Sequence, residues 1–125
     1  MFTGDAEGGT EGDAEDEFVE AYKNLSGYDL DVEILKLVHH GSKTSTTQGL
    51  LNLVKPEYAV IQCGDDNNYK HPHQSTLDRL FGLGCNVYRN DKHGDVILTI
   101  NKAGDFSFAT QFTNASDVFV GGDAV

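Results

Sequence analysis

A chain of 125 residues with 38% hydrophobic and 23% charged side chains is long enough for one domain with a modest core, and ordinary in composition for a globular protein. The formal charge of −11, with nine Lys and Arg scattered along the chain, excludes the basic stripe that grips a polyanion and predicts no strong nucleic-acid binding. No run approaches the roughly 18 apolar residues that span a bilayer, and no basic-then-apolar leader opens the chain, so the expectation is a soluble, cytoplasmic chain without a membrane segment.

Met1 to Glu7, MFTGDAE, carries a carboxylate on a turn after a short apolar start. Residues 8 to 17 are glycine-rich and acidic and read as a solvated loop with helix-start acids. A helix is expected from about Asp13 to Leu25, with Phe18, Val19, Tyr22 and Leu25 on one face and Ser26 and Gly27 ending it. Val32, Ile34, Leu35, Leu37 and Val38 predict a buried strand that stops at His39 and His40, where Gly41 and Ser42 turn the chain. Thr46 and Thr47 offer a cap for a short helix with Leu50, Leu51, Leu53 and Val54, halted before Pro56. Tyr58 to Gly64 is a near-continuous apolar run, the pattern of a strand buried on both faces.

Asp65 to His73 is a polar loop, and Ser75 to Gly84 returns to helical spacing with Leu77, Leu80, Phe81 and Leu83 apolar and Gly84 as carboxyl cap. Asn86–Arg89 and Asp95–Ile100 alternate, which predicts an antiparallel hairpin across Lys92, His93 and Gly94; Phe106 and Phe108 add a third strand of a meander. The order predicts an α/β domain with mixed pairing over residues 1–110, and a weakly docked tail over 111–125. Cys63 and Cys85 fall inside strands and read as free buried thiols; without a CxxC pair, a thiolate zinc site is not expected.

Two imidazoles at the carboxyl end of a buried strand, beside a glycine turn, stand where open α/β sheets hold ligands. Neutral imidazole is the commonest protein metal ligand and a ready acid or base near pH 7. The plainer alternative is a pair of histidines that merely close the strand. His71 and His73 have metal-like HxH spacing, a weak signal in isolation, and His73 and His93 read as surface residues.

The segments MFTGDAE, VHHGSKTS, LLNLVKPEYAVIQCG, NNYKHPHQSTLDRL and GCNVYRNDKHGDVILTI, in that order over about residues 1 to 108, resemble the metallo-β-lactamase superfamily, and within it the hydrolase domain of ComEC-like competence proteins. The resemblance implies half of an αββα sandwich: a mixed sheet with flanking helices and a carboxyl-terminal antiparallel meander. It implies a metal-dependent, phosphodiesterase- or nuclease-like hydrolase using zinc or manganese. Asp5 matches the metal-bridging carboxylate of the family's GD turn. His40 matches its last metal histidine, with His39 a neighbour of that ligand or a substrate-facing group. Alternation along a strand argues against both rings addressing one ion.

His71, in the Asn-Tyr-x-His-Pro match, is expected to line the site and touch phosphate or leaving group, or else to be a loop histidine bonded to backbone. Ser42 and Thr44 orient an imidazole or bind an anionic substrate oxygen, or simply satisfy the turn; Lys43 and Glu7 shape the pocket. The family's HxHxDH segment is absent from these 125 residues. The expectation is therefore a carboxyl-terminal portion inactive alone, completed by an amino-terminal half. The alternative is a non-catalytic half-domain with a relict site, its open strand edge covered by homodimerisation.

Overall fold

The structure is a computed structural model that describes residues 1–9, 12–24, 29–64 and 66–112. Helix α1 spans Ala14–Tyr22, with Glu15, Asp16 and Glu17 in its first turn, where carboxylates complement the helix dipole. Phe18 and Val19 turn to the core, and Tyr22 packs tilted against Phe18 with ring centroids 4.9 Å apart. The expected Leu25 and the Ser26-Gly27 stop lie outside the described residues.

Three strands, β1 (Ile34–Lys36), β2 (Tyr58–Ile61) and β3 (Asn86–Arg89), form a parallel sheet in that order. The crossovers are α2 (Gln48–Val54) and α3 (Gln74–Gly82). Thr47 caps α2 by accepting the Leu50 N–H at 3.3 Å. Gly84 takes a left-handed φ of 69° after α3, and the next N–H, of Cys85, returns to the Leu80 carbonyl. Leu50, Leu51, Val54, Leu77 and Leu80 bury themselves against Leu35, Ala59, Ile61 and Val87 of the sheet. Each of these leucines contributes about 2–3 kcal/mol by leaving water.

The carboxyl-terminal expectation is corrected in one respect. Asn86–Arg89 does not form a hairpin with the strand after it but pairs parallel with β2, register Ala59↔Val87. The reason is local: α3 delivers the chain back to the start of the sheet, and residues 90–93 coil into a short helix, α4 (Asn90–His93), instead of a two-residue turn. The antiparallel pair is β4 (Val96–Ile100) with β5 (Phe106–Thr110), register Leu98↔Phe108. Pairing is thus segregated into two sheets and not mixed within one. The hairpin covers the sheet face opposite the helices, where Phe108 stacks on Tyr88 at 4.2 Å and touches Tyr58 at 5.4 Å. Residues 113–125, most of the expected tail, lie outside the described residues. No helix among the described residues is long and apolar enough to cross a membrane.

Candidate functional site

Because β1, β2 and β3 run parallel, the segments that leave their carboxyl ends gather along one edge of the sheet, where α/β folds place ligands. His39 and His40 follow β1. Gln62, Cys63, Gly64, Asn67, Tyr69 and His71 follow β2, and Asn90 follows β3. With the exception of His39, these residues line a cleft of about 550 Å³.

The amino-terminal segment brings the carboxylates. Met1 lies alongside β1, its N–H donating to Ile34 O at 2.7 Å and its carbonyl accepting from Lys36 N at 3.0 Å. The Gly4 carbonyl accepts the His39 N–H at 2.9 Å, and Ser45 Oγ donates to Ala6 O at 2.7 Å. Asp5 and Glu7 are thereby pinned against the histidine turn. Asp5 Oδ1 stands 3.5 Å from His40 Nε2, and Glu7 Oε1 2.7 Å from His39 Nδ1.

The two histidines are not in a strand. Both adopt left-handed backbone, φ 45° for His39 and 55° for His40, followed by Gly41 at 84°. Such conformations cost non-glycine residues on the order of 1–3 kcal/mol each and concentrate at functional sites. Strand alternation therefore does not apply. Both rings reach one cluster, with His71 centred 5.7 Å from His39 and 6.4 Å from His40. Gly41 is required on steric grounds: a Cβ there would lie 2.6 Å from Pro72 Cβ. The Gly41 carbonyl accepts the His73 N–H at 3.0 Å, which ties the His-His turn to the HPH loop.

His40 Nδ1 is 2.8 Å from the Gln62 carbonyl and so carries a proton, which leaves Nε2 as the ring nitrogen that faces Asp5. His71 has its pKa pushed below the usual 6.5 by burial first, then by His73, His39 and His40, while Glu7 pulls the other way. Glu7 approaches His39 Nδ1 off the N–H direction. That nitrogen is sealed from solvent and has no well-formed hydrogen bond. Cys63, in the cleft wall, is held protonated: burial, then the Asp91 carboxylate, push its thiol up to about 11.

The flanking loop 42–47 is clamped from two sides. Glu15 of α1, 3% exposed, accepts the N–H groups of Thr46 and Thr47. Arg79 of α3 donates to the carbonyls of Thr46, Ser45 and Lys43 at 3.0, 3.1 and 3.4 Å. Ser42 Oγ and Thr44 Oγ1 bond each other at 2.9 Å, so these hydroxyls are engaged in the turn; Lys43 is exposed, and its N–H donates to His73 Nδ1. His73 therefore joins the cluster instead of the open surface. His93 is likewise not a surface residue: it is 1% exposed, and its Nδ1 accepts the Arg89 N–H at 2.9 Å.

Asp5 and His40 fit a metal in donor chemistry and tautomer, since a ligating histidine commonly gives its other N–H to a carbonyl. Their separation is close to the ~3.4 Å edge of a zinc tetrahedron with bonds of about 2.1 Å. Two donors fall short of a tight site, and among the described residues no three His, Cys, Asp or Glu side chains group closely enough to hold an ion. The structure thus gathers Asp5, Glu7, His39, His40 and His71, leaves Ser42 and Thr44 bonded within the turn, and adds His73, Tyr69, Asn67 and Gln62. Asn67 and Tyr69 were visible in the NNYKHP segment; nothing in spacing alone marks Gln62 or Glu15.

No family model matches the chain, and no solved structure does. The chain is similar to ComE operon protein 3 of Bacillus subtilis, 34% identical over 101 residues, 80% of this chain and 12% of that protein. It is 36% identical over 93 residues to Competence protein ComA of Neisseria gonorrhoeae, 74% of this chain and 14% of that protein. Recombination protein 2 of Haemophilus influenzae is 41% identical over 69 residues, 55% of this chain and 8% of that protein. The homologues are competence proteins of the ComEC type, and the chain spans about one-seventh or less of each.

Proposed function

We propose that this chain is the carboxyl-terminal portion of a metallo-β-lactamase-type, metal-dependent phosphodiesterase domain. Asp5 and His40 are two of its metal ligands, and His39 and His71 face the phosphoester. The observation that supports this most is the approach of Asp5 Oδ1 to 3.5 Å from His40 Nε2, with His40 oriented by the Gln62 carbonyl. A bound zinc or manganese ion supplies Lewis-acid stabilisation and a water of lowered pKa. The chain's own part is positional. His71, its neutral form favoured, donates a ring N–H to the phosphoryl or leaving-group oxygen. Glu7 beside His39 Nδ1 leaves Nε2 as the atom that exchanges a proton. The relatives are named for competence and recombination, which makes a nucleic-acid phosphodiester the fitting substrate class.

The remaining ligands belong to an HxHxDH segment. Co-expression of this chain with a polypeptide carrying that segment should yield a complex that retains zinc or manganese through dialysis and hydrolyses bis-p-nitrophenyl phosphate. Asp5→Asn or His40→Ala should remove both properties, and activity indifferent to both substitutions would refute the assignment. A self-associating, non-catalytic half-domain is favoured by one observation, Phe2 standing 85% exposed beside the outer edge of β1. Light scattering that shows a stable dimer, together with no metal uptake by the complex, would select that reading.

A further inference from the structure

We infer that Tyr69 is a stacking platform for a nucleobase, and that Gln62 supplies the amide that meets the base edge. Tyr69 is 76% exposed at the rim of the cleft. Its ring is near-parallel to that of His71, 23° and 5.7 Å between centroids, and His71 in turn is near-parallel to His40, 19° and 6.4 Å. One side of the tyrosine is thus backed by a ladder of rings while most of its surface meets water.

Burial does not explain this placement, but the loop that presents the ring is tightly held. The Asn67 side chain accepts the His71 N–H at 2.8 Å and donates to the His71 carbonyl at 2.7 Å. Lys70 N donates to Asn67 O at 3.0 Å, and Asp66 and Lys70 both take left-handed backbone, φ 52° and 58°. A large exposed aromatic fixed at the mouth of a cleft suits a planar ligand, since every base offers a π-face. Of the amides in the cleft wall, Asn67 is committed to its own loop and Asn90 Nδ2 donates to Gly94 O. Gln62, whose backbone carbonyl holds His40, lines the cleft, and its carboxamide makes no hydrogen bond with the described residues.

The phosphodiester reading of the preceding subsection fixes which way such a ligand lies: phosphate toward Asp5 and the histidines, base toward Tyr69. Among the described residues no Lys or Arg lines the cleft, so the attraction is stacking rather than charge, and its salt dependence is slight.

The test is metal-free binding of thymidine 5′-monophosphate against 2-deoxyribose 5-phosphate to the 125-residue chain, followed by NMR on the His71 ring and the Gln62 side-chain amide. The base-bearing ligand should bind about 10-fold more tightly, with ring-current shifts at both reporters and less than about a twofold change between 50 and 200 mM salt. Tyr69→Leu should abolish the difference, and Tyr69→Phe should keep it. Equal or undetectable binding of the two ligands, or a preference that survives Tyr69→Leu, overturns the inference. Hydrolysis plays no part in the measurement: a complex that binds thymidylate through Tyr69 yet never cleaves a phosphodiester would sink the earlier reading and leave this subsite standing.

Discussion

Glu15 is the residue on which the geometry beside the candidate site depends most heavily. It is buried to 3% exposure and accepts two backbone N–H groups, Thr46 at 2.8 Å and Thr47 beside it. Thr46 is fully buried in left-handed backbone at φ 51°, and its Oγ1 accepts the Val38 N–H at 3.3 Å, one residue before His39. Glu15→Gln preserves shape but turns an NH2 group toward a backbone donor. Leaving one N–H unsatisfied, about 1–3 kcal/mol, and weakening the other bond from charge-assisted to neutral, about 1 kcal/mol, gives an expected destabilisation of about 3 kcal/mol. For a domain of this size that lowers Tm by about 10–15 °C. Urea unfolding followed by circular dichroism measures it at unchanged m-value. A Glu15→Gln chain within 0.5 kcal/mol of the parent would show that the carboxylate is not what holds the loop.

Gly41→Ala should cost about 3 kcal/mol, combining a left-handed φ of 84° with a Cβ pressed against Pro72; thermal melts within 2 °C of the parent would contradict the packing described. His71 should titrate by NMR with a midpoint below 6.5, its neutral form favoured in the fold, so stability falls as pH drops from about 6.5 through that midpoint, and His71→Gln should flatten the fall. A midpoint above 6.5 reverses the sign and the argument. Cys63, with its thiol pushed to about 11, should react with iodoacetamide at pH 8 about 100-fold more slowly than an unperturbed cysteine, and equal rates would deny its burial beside Asp91.

The elements of the parallel layer are legible in the chain because their signals are local. Thr47 caps α2 where a threonine was available, Gly84 stops α3, and the run Tyr58 to Ile61 is apolar because it is the central strand. The misplaced hairpin has an equally local cause. Asn86 to Arg89 alternates as an edge strand would, but its partner is set by the crossover before it, a long-range constraint that alternation does not encode. The site divides the same way. The His-His turn and the GD turn stand out by residue type. Their 3.5 Å meeting depends on Met1 lying along β1, and the clamps from Glu15 and Arg79 come from helices whose apolar periodicity gives no hint of them. His93 shows the limit of composition: a histidine among Asp91, Lys92 and Gly94 reads as exposed and is in fact enclosed.

The left-handed histidine pair yields a test in which sign matters more than size. At an ordinary helix or strand position Gly is less stable than Ala by roughly 0.5–1 kcal/mol, because it gives up more backbone freedom. At φ 45°, ψ 48° the Cβ of any L-residue meets the following carbonyl, at roughly 1–2 kcal/mol. His39→Gly and His39→Ala remove the same imidazole and the same contact with Glu7, so their difference isolates the backbone. His39→Gly should be the more stable of the two by about 0.5–1 kcal/mol, and stand close to the parent chain. If His39→Ala proves equal or better, the backbone there is not left-handed in solution. His39 and His40 would then alternate as in a strand, and the shared cluster with His71 would lose its physical basis. If His39→Gly leads, the chain is holding a locally unfavourable conformation that serves the placement of two imidazoles rather than the stability of the fold, a trade characteristic of sites under selection for chemistry.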